Sequence, residues 1–309
     1  MLDALKSFAS SDIREKDTYV KALGEATEFL SKTSGLVDLE FKPTFVIADL
    51  HGRYDYLLQA LQFKIGNGKG KKSTVLELLQ AGKINFVCLG DGMHSEARGK
   101  LRWQIAQREL FRGHSPAMDE EMGESLNTML MVMMLITEFP NNFFFLRGNH
   151  DDIKGQFRKY ARESDMVQLW CERRFGKDFI DSFAEFENAL PLMVRGNNFI
   201  ASHSATLEPL NRGRLSVKDY RTYYNLAWSD NRYLSDNNYN NEAFNEQMEH
   251  LEAKDCVWVI GHRPTENELF RSQFGNRLIQ LNRPDKFVAA YIKPNQFDVN
   301  KQIFFLKEK

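Results

Sequence analysis

The sequence predicts a mixed α/β fold, with an α+β region towards the C-terminal end. Short apolar runs rich in β-branched and aromatic residues recur along the chain, and each has the length of a buried strand. Segments with helical periodicity separate the earlier runs, which is typical of an α/β layered fold. The last runs follow one another without long helices between them, which indicates a second sheet packed on the first.

Eight apolar runs are predicted as strands. The first follows Pro43, is short and β-branched, and has no polar residue until its end. Four more runs of similar composition follow it, and three closer runs near the C-terminus have the spacing of hairpins. In chain order the predicted strands are 45–50, 84–89, 143–146, 199–202, 257–260, 278–281, 287–292 and 303–306.

Helical patterns occupy the intervals between the strands. We expect residues 1–40 to form an N-terminal helical extension and residues 41–309 to form one domain. Three stretches are interpreted as insertions in that domain, at about 63–83, at 94–140 and at 205–252, the last resembling a cap. The run 66–72, rich in glycine and lysine, lacks the spacing of a nucleotide phosphate loop and is interpreted as a basic loop. The predicted helices are 54–63, 75–79, 101–111, 122–139 and 153–186, the last as more than one helix.

Composition and charge give no support to several classes of partner and location, although they leave a local basic patch open. Lysine and arginine total 41 against 42 aspartate and glutamate, a net charge of -1, so we expect neither nucleic acid nor a membrane surface as a partner. The N-terminus has no apolar core of a secretory signal, and the most apolar run, 129–136, is shorter than the roughly 20 residues that span a bilayer. Cys88, Cys171 and Cys256 lack metal-type or redox-type spacing. We therefore expect a cytoplasmic protein.

Residue types that bind metals follow five of the predicted strands. The carboxyl ends of strands in an open α/β sheet meet at one edge, so these side chains are expected to converge. A single histidine after a strand is more often a core or surface residue, but the joint occurrence favours a metal site. The residues are Asp49, His51, Asp91, Asn149, His150, His203 and His262.

The donor set indicates the metals. Carboxylate and imidazole ligands without cysteine suit manganese, iron or zinc. Seven ligand-type residues are too many for one ion, so we expect two ions roughly 3.5–4 Å apart that share a carboxylate. Such a pair lowers the pKa of a bridging water and favours in-line displacement at phosphorus.

These motifs, in this order, resemble those of the calcineurin-like metallophosphoesterase superfamily over about residues 45–265. Gly52 with Arg53, Pro264 and the Trp-Ser-Asp segment at 228–230 are most similar to the bacterial phosphoprotein-phosphatase branch, which includes diadenosine-tetraphosphate hydrolases. The motifs are Asp-Leu-His-Gly at 49–52, Gly-Asp at 90–91, Gly-Asn-His-Asp at 148–151, His203 and Gly-His-Arg-Pro at 261–264.

The resemblance implies a fold, a reaction and a set of roles. The fold would be a sandwich of two mixed sheets flanked by helices, and the reaction an in-line attack on phosphorus by a metal-bridging hydroxide. His150 would act as general acid towards the leaving group. Asp49, His51 and Asp91 would hold one metal ion, and Asp91, as the bridge, would hold the other together with Asn149, His203 and His262.

The second motif departs from the superfamily pattern. His94 stands where the carboxylate partner of the acid is expected, and Ser95 stands where an arginine that binds phosphate is expected. Either the acid mechanism differs or Glu96 replaces the missing carboxylate. For each arginine, a solvated surface charge is an equally good interpretation. The residues considered for contact with the substrate phosphate are Arg53, Arg98, Arg232, His94 and Glu96.

Several functions fit the sequence. The leading expectation is a phosphatase acting on a phosphorylated small molecule or protein; a pyrophosphohydrolase of the diadenosine-tetraphosphatase type, a phosphodiesterase and a non-catalytic metal-binding scaffold are the alternatives. The aromatic segment 219–239 is interpreted either as a surface that stacks a base or as a packed cap. The helical insertion 94–140 either selects the substrate or serves as scaffold. The sequence specifies no oligomeric state.

Overall fold

The computed structural model describes residues 1–66, 72–110, 115–155, 161–234, 237–266, 268–283 and 286–306, so most of the predicted basic loop lies outside the described residues. Within these ranges the strands form two mixed sheets and a short hairpin. The strands are β1 Leu36–Asp38, β2 Thr44–Ile47, β3 Lys64–Gly66, β4 Lys72–Thr74, β5 Asn85–Cys88, β6 Phe143–Phe145, β7 Met193–Arg195, β8 Phe199–Ser202, β9 Val257–Ile260, β10 Arg271–Gln273, β11 Leu278–Gln280, β12 Val288–Ile292 and β13 Ile303–Phe305.

Helices flank both sheets, and two 3₁₀ turns lie at Glu96–Gly99 and Asn231–Tyr233. Each predicted helical interval holds a helix, with ends shifted by up to eight residues. Position 111 and positions 156–160 of the predicted helices lie outside the described residues. The α-helices are α1 Leu2–Lys6, α2 Lys16–Leu30, α3 Tyr54–Gln62, α4 Val75–Gln80, α5 Lys100–Leu110, α6 Pro116–Glu138, α7 Ala161–Phe175, α8 Lys177–Ala189, α9 Arg212–Val217, α10 Tyr220–Trp228, α11 Asn238–His250 and α12 Val299–Gln302.

Each sheet mixes parallel and antiparallel pairs. The larger has the order β1-β7-β8-β9-β11-β10, and the smaller has the order β13-β12-β2-β5-β6. Strand β5 lies between β2 and β6 and is parallel to both, and β8 is parallel to its neighbour β9 in the other sheet. The five strands that precede the predicted metal ligands therefore belong to two sheets, three strands to one and two to the other.

The C-terminal strands do not form a second sheet on their own. Strands β12 and β13 extend the sheet of β2, β5 and β6, whereas β10 and β11 join the sheet of β8 and β9. That part of the prediction was wrong. The deciding pairing joins residues far apart in the chain, such as Ala289 and Ile47, and short C-terminal connections do not specify it.

Alternating side chains along the strands build the sandwich. In β2, Phe45 and Ile47 pack into the cluster beneath the helices, whereas Val46 packs into the cluster between the sheets. Val259 and Ala290 meet Val46 in that inner cluster. Both faces of the central strands are buried, which explains why the sequence shows continuous apolar runs there. The predicted two-sheet sandwich flanked by helices is confirmed.

The helical part of the N-terminal segment packs on the helices that cover the smaller sheet. Helix α2 lies against α6 and α8 and buries Tyr19, Leu23 and Ala26. The end of this segment is not helical, because Leu36–Asp38 forms β1 and pairs with β7. In the described part of the chain, no helix combines the length and the apolar composition that crossing a bilayer requires.

Candidate metal centre

Loops at the carboxyl ends of five strands meet at one edge of the sandwich. The loops after β2 and β5 continue side by side through backbone hydrogen bonds: the His51 amide donates to the Asp91 carbonyl at 2.6 Å and the Gly52 amide to the Gly92 carbonyl at 2.9 Å. These bonds bring the Asp-Leu-His motif and the Gly-Asp motif together, although 42 residues separate Asp49 from Asp91.

The ligand loops adopt backbone conformations that few side chains tolerate. His51, Asp91 and His262 have φ values of +47°, +49° and +64°, and such left-handed conformations at residues other than glycine occur mainly where surrounding structure enforces them. Glycine beside the ligands allows close approach. A Cβ atom on Gly261 would lie 1.9 Å from Asp49 Oδ1, and one on Gly90 would lie 2.8 Å from the Gly148 nitrogen.

One group of donors consists of Asp49, His51 and Asp91. His51 Nε2 lies 4.0 Å from Asp49 Oδ2 and 3.8 Å from Asp91 Oδ2. His51 Nδ1 lies 2.9 Å from the His94 carbonyl oxygen. A carbonyl only accepts, so Nδ1 carries a proton, and Nε2 is the ring nitrogen that faces the carboxylates, the orientation usual for metal-binding histidines.

The second group consists of Asp91, His203 and His262, with Asn149 beside them. His203 Nδ1 donates to the Leu89 carbonyl at 2.8 Å, and burial lowers the pKa of His203, so the neutral ring carries its proton there. Three acceptors then converge: His203 Nε2 lies 3.3 Å from Asp91 Oδ2 and 3.0 Å from Asn149 Oδ1. His262 Nδ1 lies 3.2 Å from the same His203 Nε2 atom, and a cation would satisfy this compact set of donors.

Asp49 gives a second indication of a cation. Its Oδ2 accepts from the His262 amide at 2.8 Å and from Asn282 Nδ2 at 2.7 Å, whereas its buried Oδ1 accepts no hydrogen bond from any described residue. Burial and the neighbouring charge of Asp91 raise the pKa of Asp49 well above its usual range. Bound cations would offset both effects. The oxygen and imidazole donors therefore fit metal ions, and Asp91 belongs to both groups.

His150 lies at the rim of the ligand cluster. Its Nε2 is 2.9 Å from Glu96 Oε1, and its backbone amide donates to Asp91 Oδ1 at 2.8 Å. Burial alone would lower the pKa of His150, but the charges of Asp91 and Glu96, with the hydrogen bond to Glu96, raise it to about 9. Burial would raise the pKa of Glu96, but His150 and His51 hold it well below its usual range.

His94 does not act as a charged neighbour of His150. Burial lowers the pKa of His94 to about 3, so its ring is neutral near neutral pH. The ring stacks on Trp103 with centroids 5.6 Å apart and lies 4.9 Å from the ring of His150. The carboxylate that contacts His150 is therefore Glu96, two residues after the position where the superfamily pattern places one.

The three arginines considered for phosphate binding differ in their surroundings. Arg98 donates from Nη2 to the His51 carbonyl at 3.1 Å and is 38% exposed at its side chain. The guanidinium of Arg53 lies over the Phe287 ring, 4.1 Å from its centroid. Arg232 forms two hydrogen bonds with Asp230. Arg98 thus has a described side-chain bond to the loop that carries His51.

Two contributors to the site were missed by sequence reasoning. Asp151 accepts from the amides of Asp91, Gly92 and Gly148 at 2.7–2.9 Å and so joins two ligand loops. Asn282 donates to Asp49 Oδ2 and to the His262 carbonyl. Asn282 follows β11 by two residues, and this position after a strand end is the signal that could have identified it.

Comparison with known proteins agrees with this geometry. The family model described as calcineurin-like phosphoesterase matches residues 42–299. Among solved structures, the chain is similar to a protein serine/threonine phosphatase from Saccharomyces cerevisiae with similarity to human phosphatase PP5, with a TM-score of 0.59 and 13% identity, covering 94% of this chain and 89% of that one. At 13% identity this similarity shows the fold alone.

Two further solved structures match less well. One is a provisionally assigned diadenosine tetraphosphatase, with a TM-score of 0.44 and 14% identity, covering 88% of this chain and 97% of that one. The other is a mutant of a cold-active protein tyrosine phosphatase, with a TM-score of 0.44 and 14% identity, covering 91% and 84%. The family match spans most of the chain, so the superfamily predicted from the motifs is confirmed. The chain belongs to the calcineurin-like phosphoesterase family, metal-dependent hydrolases of phosphoester bonds.

Proposed function

We propose that this protein is a phosphatase that uses two metal ions bound at the strand-end cluster. One observation supports the proposal above all. His203 Nε2 lies 3.3 Å from Asp91 Oδ2 and 3.0 Å from Asn149 Oδ1, and all three atoms are hydrogen-bond acceptors. A cation would satisfy acceptors held this close in a buried site. Manganese, iron or zinc suits the donor types.

The two donor groups share Asp91, which makes it the proposed bridge. When bound, the ions would lower the pKa of a coordinated water and polarise the phosphoryl oxygens of the substrate. Asp49 and His51 complete the first proposed metal site, and Asn149, His203 and His262 complete the second.

His150 is the proposed proton donor to the leaving group. Glu96 holds one ring proton of the His150 cation at Nε2, and the cation gives its other ring proton to the leaving oxygen. Arg98 is the arginine we propose for contact with the substrate phosphate, because guanidinium groups bind phosphate through paired hydrogen bonds and Arg98 lies beside the His51 loop.

A pyrophosphohydrolase acting on a dinucleotide is the second proposed function. Helix α10 buries Tyr223 and Trp228 but leaves Tyr220 and Tyr224 exposed, at 66% and 48%. Tyr223 donates its hydroxyl to the Gly148 carbonyl, so this helix is attached to a ligand-bearing loop. An exposed aromatic pair one turn apart on it suits stacking with a base.

We further propose the context in which the enzyme acts. The three cysteines are free and buried, which suits the reducing cytoplasm, and the substrate is a phosphorylated small molecule or protein. Neither nucleic acid nor a membrane is proposed as a partner. Residues 41–309, together with β1, would act as one catalytic domain, with the preceding helices packed on it through α2.

A substrate panel tests the proposal. The purified protein is stripped of metal and then supplied separately with manganese, iron or zinc. It is assayed on p-nitrophenyl phosphate, bis-p-nitrophenyl phosphate, diadenosine tetraphosphate and a phosphopeptide. We expect metal-dependent turnover of the monoesters, and a loss of at least about 100-fold in Asp91→Asn but not in Asp17→Asn on the exposed face of α2.

Other results of these assays would identify a different function. Preferential cleavage of diadenosine tetraphosphate would favour the second function, and turnover of the diester alone would indicate a phosphodiesterase. Metal binding without turnover of any substrate would identify a non-catalytic scaffold. Full activity in His150→Ala would exclude its role as proton donor, and unchanged kinetics in Arg98→Ala would exclude phosphate contact.

A further inference from the structure

One polar face of helix α6 contacts the segment that departs from the superfamily pattern. We call Glu121, Glu124 and Ser125 the α6 polar face, since residues three and four apart lie on the same side of a helix. Ser125 Oγ accepts from the His94 amide at 3.2 Å, and Glu124 pairs with Arg98 at 2.9 Å. The face therefore follows the segment from residue 94 to residue 98.

Glu121 makes the most direct of these contacts. Its carboxylate accepts from the Ser95 amide at 2.8 Å and from the Ser95 hydroxyl at 2.5 Å. Glu121 is 1% exposed, and its charge is compensated by Arg102, whose Nε donates to it at 2.8 Å. A buried carboxylate that is paired and fully hydrogen bonded holds its partners in a defined geometry.

The residue that follows Ser95 is the one that contacts His150. Glu96 has a φ of +46° and His94 a φ of +66°, conformations that residues other than glycine keep only when their surroundings enforce them. The side chain of Glu96 is 41% exposed, so the backbone that carries it contributes to the direction of its carboxylate. The contacts of Ser95 with Glu121 are therefore well placed to set the direction of Glu96.

We propose that Glu121 is a positioning residue for the reaction: by holding Ser95, it fixes the backbone that directs the Glu96 carboxylate onto Nε2 of His150. The inference rests on the proposed function, because it assigns how the proposed proton donor is held. Glu121 lies on α6, 26 residues beyond Ser95. It thus supports the turn in which this chain departs from the family pattern.

A leaving-group comparison tests the proposal. A held proton donor matters most when the leaving group is poor, so phenyl phosphate is compared with p-nitrophenyl phosphate. In Glu121→Gln, we expect kcat/KM for phenyl phosphate to fall about 10-fold or more, and that for p-nitrophenyl phosphate to fall less than about 3-fold. Ser95→Ala, which removes one of the two hydrogen bonds and is less demanding on folding, should show the same pattern with a smaller ratio.

Glu120→Gln is the matched control. Glu120 is the neighbouring residue on α6 and also pairs with Arg102, at 2.9 Å, but its side chain is 56% exposed and it does not contact Ser95. It should leave the ratio of the two substrates unchanged. Equal losses on both substrates in Glu121→Gln, or the same change in Glu120→Gln, would overturn the proposal.

A second readout does not depend on turnover. In the wild type, the imidazole proton shared by His150 and Glu96 should give a downfield N–H resonance, assigned by its loss in Glu96→Gln. The proposal requires that resonance to shift or disappear in Glu121→Gln and to persist in Glu120→Gln. Persistence in Glu121→Gln would overturn it. If the wild type hydrolyses no phosphoester, the proposed function fails, whereas this resonance still decides whether Glu121 positions Glu96.

Discussion

Asp151 organises the loops of several proposed metal ligands without being a proposed ligand itself. Its two oxygens accept three backbone amides, from Asp91, Gly92 and Gly148. Burial and the nearby charge of Asp91 raise its pKa to about 6, even though these amides favour the charged form. The loops that carry Asp91 and Asn149 are therefore joined through Asp151.

Replacing Asp151 with asparagine should loosen both loops. The amide nitrogen of asparagine cannot accept, so at least one backbone amide loses its partner, at a cost of about 1–3 kcal/mol. Metal affinity should fall roughly 10- to 100-fold, as for other residues that orient ligands. Urea unfolding and calorimetric metal titration measure the two effects. Asp152→Asn, which does not remove these three bonds, is the control, and equal changes in both variants would contradict the role.

Glu187 is a second buried acid near this loop, with a different function in the fold. It is 1% exposed and accepts from the Ile153 amide at 2.8 Å. Burial is the main reason that its pKa is raised well above its usual range, and Arg147 only partly opposes this effect. A group whose pKa rises on folding stabilises the protein in its protonated form, and that stability is lost as the pH rises through the folded pKa.

The substitution Glu187→Gln should therefore stabilise the protein at higher pH. Below pH 4.5, the ordinary value for a glutamate, the variant and the wild type should have similar free energies of unfolding. As the pH increases, the wild type should become less stable than the variant, by an amount on the order of 1–2 kcal/mol. Unfolding in urea at several pH values measures this difference. Exposed Glu185, on the same helix, gives the control Glu185→Gln, which should show no such divergence.

At the residue scale, the sequence predicted donors but not their supports. Asp49 and His203 could be identified because each follows an apolar strand, and strand ends converge. The support that Glu121 gives to Ser95 could not be identified from the sequence. The contact spans 26 residues, and neither residue type is unusual in a helix or turn. The ion pairs of the arginines could not be predicted either. Arg232 is hydrogen bonded to Asp230, and the sequence of charged residues did not indicate this pair.

At the scale of elements, one buried asparagine attaches the N-terminal segment to the body. Asn127 on α6 donates from Nδ2 to the carbonyls of Ser10 and Asp12, at 2.8 and 2.9 Å. Its Oδ1 accepts from the hydroxyl of Tyr19 on α2 at 3.0 Å. All of these bonds cross from the body to residues before β1, so Asn127 specifies how the segment is seated.

Removing that side chain should weaken the seating of α2. In Asn127→Ala, a buried hydroxyl and two partly buried carbonyls lose their partner, and the free energy of unfolding should fall by about 2–3 kcal/mol. Hydrogen exchange should show faster exchange in residues 16–30 than elsewhere. Asn141→Ala, at an exposed position, should leave both measurements unchanged. Uniform destabilisation without faster exchange in α2 would contradict local seating by Asn127.

The positions of helices and strands could be predicted from composition more readily than the pairing of strands within the sheets. Strands such as β2 and β5, each of four fully buried residues, were predicted because both their faces are apolar. Strands β1 and β10 have only three residues each, with charged residues among them, and give no periodic signal. The division of the C-terminal strands between two sheets depends on long-range backbone pairing, which local patterns do not encode.

At the scale of the whole molecule, the donor cluster spans the boundary between the two sheets. Asp49 and Asp91 follow strands of the smaller sheet, whereas His203 and His262 follow strands of the larger one. The inner apolar cluster holds the sheets together away from this edge. At the edge itself, two buried carboxylates approach each other, so bound cations should contribute to the stability of the whole sandwich.

Metal removal should therefore lower the melting temperature. A cation that binds only the folded chain stabilises it by about 2.7 kcal/mol when its free concentration is 100 times its dissociation constant. For a chain of this size, that corresponds to a shift of roughly 4 °C. Differential scanning calorimetry of the stripped protein, with and without manganese or zinc, measures it. In Asp91→Asn, which alters the ligand common to both groups, added metal should shift the melting temperature much less. An equal shift in that variant would place the stabilising cation elsewhere, and the assignment of Asp91 as the shared ligand would be wrong.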